Sequence, residues 1–273
     1  MKPEISRLRD LAAAPILSFL ALSTGLAADL TLGVEPRYPA EQMAGEYKPL
    51  VDYLSRATGH KINLVVAPSY HSYWRDLREN RKLDIVLEDA HFVSYRNARF
   101  HYVPVVKVAE PASFTLVASD LLTDPTLNTL VGKRVVTMPS PSLGYAALTE
   151  MYPNLIRQPE VESLAKSWKD GVEIVFGGDA EATILPTPLA QQYPNLIPVG
   201  TSRDFPGAAV LVRPTLDPKI VGQIATAFLE AHNEQSLIDF NTGLFISQWV
   251  PAKAADYTGQ DAVLKTFFGY RAN

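Results

Sequence analysis

Short apolar runs alternate along this chain with longer segments whose apolar residues recur every three to four positions. The runs "LTLGVEP" (30–36) and "KINLVVAP" (61–68) have the length of β-strands and end at proline. Between them, "GEYKPLVDYLSRATG" (45–59) places its apolar residues on one helical face and ends at glycine. From Leu216 onward the pattern is mainly helical. This alternation predicts an α/β fold with βαβ units and two mixed, mostly parallel sheets.

Two similar apolar strands mark the points at which the pattern changes character. They are "SFTLVAS" (113–119) and "AAVLVRP" (208–214). If each strand crosses between two sheets, residues 28–112 together with 212–273 form one lobe, and residues 113–211 form the other. The carboxyl ends of the strands then open onto a cleft between the lobes, where α/β sheets usually bind their ligands.

The first 27 residues differ from the rest and predict a signal peptide. Arg7 and Arg9 precede an uncharged, apolar stretch that ends in small residues, so we expect cleavage after Ala27. A retained N-terminal anchor is the alternative, although a 17-residue stretch that contains Pro15 makes a poor membrane span. No cysteine is present to carry a lipid or a disulfide. These features predict a soluble periplasmic protein without membrane insertion after cleavage.

Charge and motifs exclude several classes of function. The chain has a formal net charge of −4, and loss of the signal peptide removes three basic but only two acidic residues. Because no basic cluster remains, nucleic acid is not an expected partner. The five histidines form no HExxH motif, and neither a G-x-S-x-G elbow nor a cysteine nucleophile occurs. We therefore expect no catalysis and no cofactor.

The stretch "MPSPSLGYAAL" (138–148) joins a predicted strand to a predicted helix. Ser140 and Ser142 suit the cap of that helix, and the free backbone N–H groups of a helix start can bind an anion. Pro141 removes one N–H donor from the group. The stretch is either a cap alone or a cap that also contributes to an anion site.

A second polar cluster is predicted at the same cleft. The segment "LEDAHF" delivers Glu88, Asp89 and His91 to the end of a strand, and Glu35 and Tyr38 arrive from the first strand. Carboxylates that face a bound anion repel it. Four interpretations remain open: helix capping with solvation, contact with the amine of a zwitterion, an internal ion pair with an arginine, or a metal site of Glu35, Glu88, Asp89 and His91.

In order and spacing, these segments resemble the phosphate, phosphite and phosphonate binding proteins of ABC importers. The similar segments are "LTLGVEP", "PLVDYL", "APSY", "LDIVLEDAHF", "LVGKRVVTMPSPSLGY" and "WVPAKAADYTGQDAVLKTFF". Together they span essentially the whole chain after the signal peptide. The resemblance implies the two-lobed type II periplasmic binding fold, in which hinge closure captures a small solute without chemistry.

The resemblance also implies individual binding positions. Tyr70 corresponds to a tyrosine that reaches the bound oxyanion, and Ser142 with Gly144 belongs to a helix start that is usually Ser-Thr-Ser-Gly. Other positions depart from the family. Those departures are Ser167 or Trp168 in place of a histidine, Ser113 or Phe114 in place of a tyrosine, and residues 186–188 and Ala208 in place of carboxylates that hold a substrate amine.

The sequence as a whole therefore predicts a monomeric periplasmic binding protein for a small anion or zwitterion. An ABC transporter permease is the expected partner. The alternatives are a periplasmic metal-handling protein, a sensor or accessory binding protein, and a hydrolase or lyase built on the same fold.

Overall fold

A computed structural model describes residues 27–271, so the predicted signal peptide, apart from Ala27, lies outside the described residues. The strands are β1 (Asp29–Val34), β2 (Lys61–Val66), β3 (Ile85–Glu88), β4 (Val103–Val108), β5 (Phe114–Ser119), β6 (Arg134–Val136), β7 (Glu160–Glu162), β8 (Ala182–Pro186), β9 (Leu196–Thr201), β10 (Ala209–Val212) and β11 (Trp249–Pro251). The α-helices are α1 (Ala40–Thr58), α2 (Tyr70–Arg78), α3 (Ala90–Phe100), α4 (Leu143–Met151), α5 (Trp168–Phe176), α6 (Thr187–Ala190), α7 (Pro218–Glu230) and α8 (Ile238–Gly243). Short 3₁₀ turns span Ala231–Asn233, Gln235–Leu237, Ala254–Tyr257 and Gln260–Leu264.

Helix α1 illustrates how the sequence pattern produces these elements. Tyr47, Leu50 and Leu54 recur at helical spacing and are buried. The helix ends at Gly59, which adopts a left-handed conformation with φ of 71° and donates its N–H to the carbonyl of Ser55. The predicted helix thus forms with its apolar stripe turned towards the core.

Two mixed sheets organise the described part of the chain. The six-stranded sheet has the order β11-β4-β10-β3-β1-β2, and the five-stranded sheet has the order β7-β6-β8-β5-β9. Strands β2-β1-β3 and β7-β6-β8 are parallel, whereas β10, β11, β5 and β9 pair antiparallel with their neighbours. We call the six-stranded sheet with its helices the first lobe, and the five-stranded sheet with its helices the second lobe.

Neither β5 nor β10 crosses between the sheets, which corrects the sequence-based expectation. Strands β5 and β10 each pair with a neighbour on both sides within one sheet. Pairing on both sides satisfies the backbone N–H and C=O groups of a buried strand. The crossing occurs in the segments just before these strands, where Ala112 and Phe205 exchange backbone hydrogen bonds of 2.9 and 2.8 Å. Residues 209–211, which were assigned to the second lobe, therefore lie in the sheet of the first.

The apolar core joins the lobes through one side of the first sheet. One cluster of buried side chains packs α1 and α7 against this sheet. A second cluster extends from α2 and α3 through the turn at Gln260–Leu264 into the five-stranded sheet. The lobes therefore share one apolar core. No helix within residues 27–271 is long and apolar enough to cross a membrane.

Candidate functional site

The polar residues predicted at the cleft follow two neighbouring parallel strands. Val34 of β1 lies opposite Leu87 of β3, so the residues that come next emerge together at the carboxyl edge of the sheet. Glu35 is completely buried there. Asp89 occupies the N-cap position of α3 but makes no side-chain capping bond. Capping, one of the open interpretations, is therefore not what holds the Asp89 carboxylate.

Hydrogen-bond donors hold both carboxyl oxygens of Glu35. The N–H of Asp89 donates to Oε1 at 2.5 Å, and the hydroxyl of buried Tyr70 donates to Oε2 at 3.2 Å. Burial raises the pKa of Glu35 well above its ordinary value, and the nearby Asp89 carboxylate adds to the rise. Burial and the charge of Glu35 likewise raise the pKa of Tyr70, so its hydroxyl keeps its proton and remains a donor.

Arg37 is the cation of this cluster and is not among the residues predicted from the sequence. Its Nη2 lies 2.6 Å from Asp89 Oδ1 and 3.9 Å from Glu35 Oε1. This geometry matches the interpretation of an internal ion pair with an arginine for Asp89. The available signal was a single arginine two residues after Glu35, at the same strand end as the predicted carboxylates.

Glu88 forms a separate ion pair inside the first lobe. Arg96 binds it in a bidentate manner, with Nη2 2.7 Å from Oε1 and Nε 2.9 Å from Oε2. The hydroxyl of Tyr73 donates to Oε1 at 2.5 Å, and all three side chains are buried. Because both oxygens of Glu88 are occupied, this residue fastens α3 to β3. The ligand role of Glu88 stays a prediction from the sequence; in this structure its carboxylate is bound by Arg96 and Tyr73.

His91 connects the first lobe to the loop that begins α4. Its Nε2 lies 2.8 Å from the carbonyl oxygen of Pro141, and because a carbonyl only accepts, Nε2 carries the proton. The ring is fully buried, and burial lowers the pKa of His91 below its ordinary value. The imidazole is therefore neutral near pH 7, and its Nδ1 has no hydrogen-bond partner among the described residues.

Ser142 is the N-cap of α4. Its Oγ accepts the N–H of Tyr145 at 3.3 Å and donates to the carbonyl of Met138 at 3.4 Å. The N–H groups of Leu143 and Gly144 come in the first turn, so they have no acceptor within the helix. Thr137, just before this loop, is buried and its hydroxyl also lacks a partner among the described residues. Thr137 could not be found from the sequence, since a single threonine after a strand gives no signal.

Gly144 lies under two aromatic rings of the second lobe. A Cβ at this position would collide with Cη2 of Trp168, and it would lie 2.9 Å from Cζ3 of that ring and 3.2 Å from Cε1 of Phe114. Glycine is therefore required for the close approach of Trp168 to the first turn of α4.

The remaining predicted residues lie at the edges of this arrangement. Ser113 precedes β5 and donates to Oγ1 of Thr187 at 2.9 Å, which holds the crossing segment to the start of α6. Ser140 is half-buried in the loop before α4. Tyr38 is half-buried, with its ring centroid 6.4 Å from that of Tyr47.

A metal centre finds no support in this geometry. Within residues 27–271, no three His, Asp or Glu side chains are grouped so that they could hold a metal ion. Asp89 is paired with Arg37, Glu88 is paired with Arg96, and His91 donates to a backbone carbonyl. The donors of the metal-handling alternative are thus engaged with other protein groups.

Comparison with known families identifies the relationship. Residues 32–257 match the family model described as ABC transporter, phosphonate, periplasmic substrate-binding protein. The chain belongs to this family. Membership in the phosphonate-binding family confirms the resemblance and the periplasmic solute-binding role in ABC import, with a small-molecule solute and permease components as partners. A search of curated proteins finds no match.

Solved structures of low sequence identity share the fold of this phosphonate-binding family member. PhnD1 from Prochlorococcus marinus, solved with methylphosphonate, is 11% identical, with 86% of this chain and 96% of that chain covered and a TM-score of 0.72. A binding protein component of an ABC phosphonate transporter from Pseudomonas aeruginosa is 13% identical, with 85% and 83% covered and a TM-score of 0.69. A Xanthomonas citri protein bound to ATP is 14% identical, with 86% and 96% covered and a TM-score of 0.65. These similarities confirm the predicted type II binding fold.

Proposed function

We propose that the protein captures a small solute with a phosphonate-like oxyanion at the start of α4 and delivers it to an ABC permease. The observation that carries the proposal is the position of the α4 start against His91 of the first lobe, within the region that matches the family. The N–H groups of Leu143 and Gly144 supply donors there. The unpartnered Nδ1 of His91 is an acceptor, which suits a phosphonate oxygen that still carries a proton.

The charge balance of the cleft supports an anionic ligand. Asp89 is neutralised by Arg37, Glu88 is neutralised by Arg96, and the His91 ring is uncharged. The raised pKa of Glu35 shifts this carboxyl group towards its protonated form. A carboxyl group that holds its proton does not repel an oxyanion, so the raised pKa weakens the conflict that the sequence alone suggested.

Ligand entry requires the lobes to separate. Glu35, Tyr70, His91 and Ser142 are all buried, at most 2% exposed. Opening breaks the hydrogen bond from His91 to Pro141, and the paired crossing segments serve as the hinge. Closure around the ligand then restores the arrangement described here.

Export and assembly complete the proposal. Residues 1–27 act as a cleavable signal peptide, and the mature protein works as a monomer that performs no chemistry on its ligand. Intact mass measurement of the protein recovered from the periplasm tests cleavage after Ala27. A mass that retains these residues would instead support a membrane anchor.

Isothermal titration calorimetry on residues 28–273 tests the binding function directly. The probes are inorganic phosphate, phosphite, methylphosphonate and sulfate, with Zn²⁺ for the metal alternative. We expect saturable binding of at least one phosphorus oxyanion and none of Zn²⁺. Failure of every oxyanion to bind would refute the proposal.

Two variants connect that binding to the site. Tyr70→Phe removes the hydroxyl that donates to Glu35 in this structure and that would turn to the oxyanion on binding. Ser142→Gly removes the hydroxyl of the α4 cap at a cost of only a few tenths of a kcal/mol. Asp217→Ala removes the cap of the remote helix α7 and serves as the control. Weaker binding in the first two variants and unchanged binding in the control is expected. Equal affinity in all of them would contradict the placement of the site.

A further inference from the structure

Two aromatic rings cover the helix start that the proposed function assigns to the oxyanion. Trp168 begins α5 and Phe114 begins β5, and their ring centroids are 5.6 Å apart with an interplanar angle of 51°. Both rings reach the backbone of the first turn of α4 because Gly144 has no Cβ. Phe114 is buried, whereas Trp168 is only half-buried.

The hydroxyl groups beside these rings are engaged elsewhere. Ser167 caps α5 by accepting the N–H of Asp170 at 3.1 Å. Ser113 donates to Thr187 at 2.9 Å. At both places, therefore, the side chain that meets the first turn of α4 is apolar.

We infer that Trp168 and Phe114 determine ligand specificity by accepting an uncharged, apolar substituent, such as the alkyl group of a short alkylphosphonate. This inference rests on the proposed function and names the substrate class of the same site. The rings supply apolar surface beside the N–H groups of α4, so one ligand can place its oxyanion and its alkyl group at adjacent positions. The start of α4 also lies against His91, whose buried Nδ1 has no hydrogen-bond partner among the described residues, so a polar group remains to be satisfied there.

A cationic substituent finds no ionic partner in this arrangement. The carboxylate of Asp89 is paired with Arg37, and Glu35 is bound by the Asp89 N–H and the Tyr70 hydroxyl. An ammonium group that leaves water needs a charged partner to offset its desolvation. Attraction to the face of an indole ring compensates only part of that cost. Ethylphosphonate should therefore bind more tightly than 2-aminoethylphosphonate.

Calorimetry with inorganic phosphate, methylphosphonate, ethylphosphonate and 2-aminoethylphosphonate tests the inference on residues 28–273. In the wild type, we expect both alkylphosphonates to bind about tenfold or more tightly than phosphate. Trp168→Ala should reduce the affinity for ethylphosphonate by about tenfold and leave that for phosphate unchanged, since only the substituent loses contact. Trp168→Phe should recover part of the loss.

Two further variants keep the test independent of a folding defect. Gly144→Ala retains the indole but displaces it, because the added Cβ would occupy its place, and it should lower alkylphosphonate affinity in the same way. Phe176→Ala removes an aromatic ring from the opposite end of α5, where the side chain is 56% exposed, and should change nothing. Thermal unfolding verifies that each variant is folded before titration.

The possible outcomes separate this inference from the proposed function. Tighter binding of all four probes by Trp168→Ala would show that the ring blocks the site, and an equal loss for all four would show that it only shapes the site. Either result overturns the inference, as does tighter binding of 2-aminoethylphosphonate than of ethylphosphonate. If no probe binds to the wild type, the proposed function fails and the inference fails with it.

Discussion

Replacement of Arg96 by methionine should destabilise the protein strongly, because it leaves the carboxylate of Glu88 buried without its cation. Glu88 and Arg96 are 0% and 1% exposed, and two hydrogen bonds of 2.7 and 2.9 Å join them in a bidentate pair. Removal of one partner from such a pair costs about 3–5 kcal/mol. The hydroxyl of Tyr73 still donates to Glu88, which places the expected loss near the lower end.

Thermal and urea unfolding of residues 28–273 measure this loss. For a chain of this size, 1 kcal/mol corresponds to about 2–4 °C in Tm, so a loss of about 3 kcal/mol in Arg96→Met should lower Tm by about 6–12 °C. Lys48→Met is the matched control, since Lys48 forms an exposed ion pair with Asp52 one helical turn away. Loss of that pair should cost only about 0.3–0.5 kcal/mol.

The double variant Glu88→Leu with Arg96→Met separates the penalty of an unpaired charge from loss of the pair itself. Because both charges leave the interior together, its stability should recover towards that of the wild type, short of the cost of the buried Tyr73 hydroxyl, which loses its acceptor. Its affinity for the oxyanion should equal that of the wild type, since the pair lies outside the proposed site. The reasoning is refuted if Arg96→Met loses less than about 1 kcal/mol, or if the folded double variant no longer binds ligand.

Two further predictions concern Glu35 and the crossing segment. Since the folded protein holds a proton on Glu35 at pH values where the unfolded chain has lost it, the free energy of unfolding should fall as pH rises above about 4.3 towards the raised pKa. Glu35→Gln should remove that dependence in urea titrations from pH 5 to 8, and an unchanged slope would contradict it. Gly207→Ala should cost about 1–3 kcal/mol in thermal unfolding, because its Cβ would collide with the carbonyl oxygens of Val108 and Glu110. Gly222→Ala, which meets nothing within 4 Å in α7, should instead stabilise by about 1 kcal/mol, and equal effects of the two changes would refute this account.

Much of the architecture could be predicted from the sequence, because periodicity reports which face of an element is buried. The alternation of strands and helices predicted an α/β fold with two sheets, and the family comparison confirms the fold type. Serine before a helix-forming run predicted the cap at Ser142. Glu35 and Asp89 each follow the end of a strand, which predicted that they meet at the cleft. They do so because β1 and β3 are parallel neighbours whose carboxyl ends lie at the same edge of the sheet.

Strand pairing was decided only by the tertiary structure. A pattern of apolar positions does not state which neighbours a strand has, so β5 and β10 were expected to cross between the sheets. In the structure, β10 instead inserts antiparallel between β3 and β4. Pairing depends on contacts between residues far apart in the chain, and local sequence does not contain that information.

The partners of the charged and aromatic side chains at the site were also decided by tertiary structure. From the sequence, Glu88, Asp89 and His91 formed one undivided polar cluster with four possible roles. Folding brings Arg96 to Glu88 and Arg37 to Asp89, and it places His91 against the loop before α4. By itself, the sequence determined where polar groups reach the cleft. Only the packing of distant segments decided which of them neutralise one another and which keep an unpartnered atom, because burial makes each charge depend on its nearest partner.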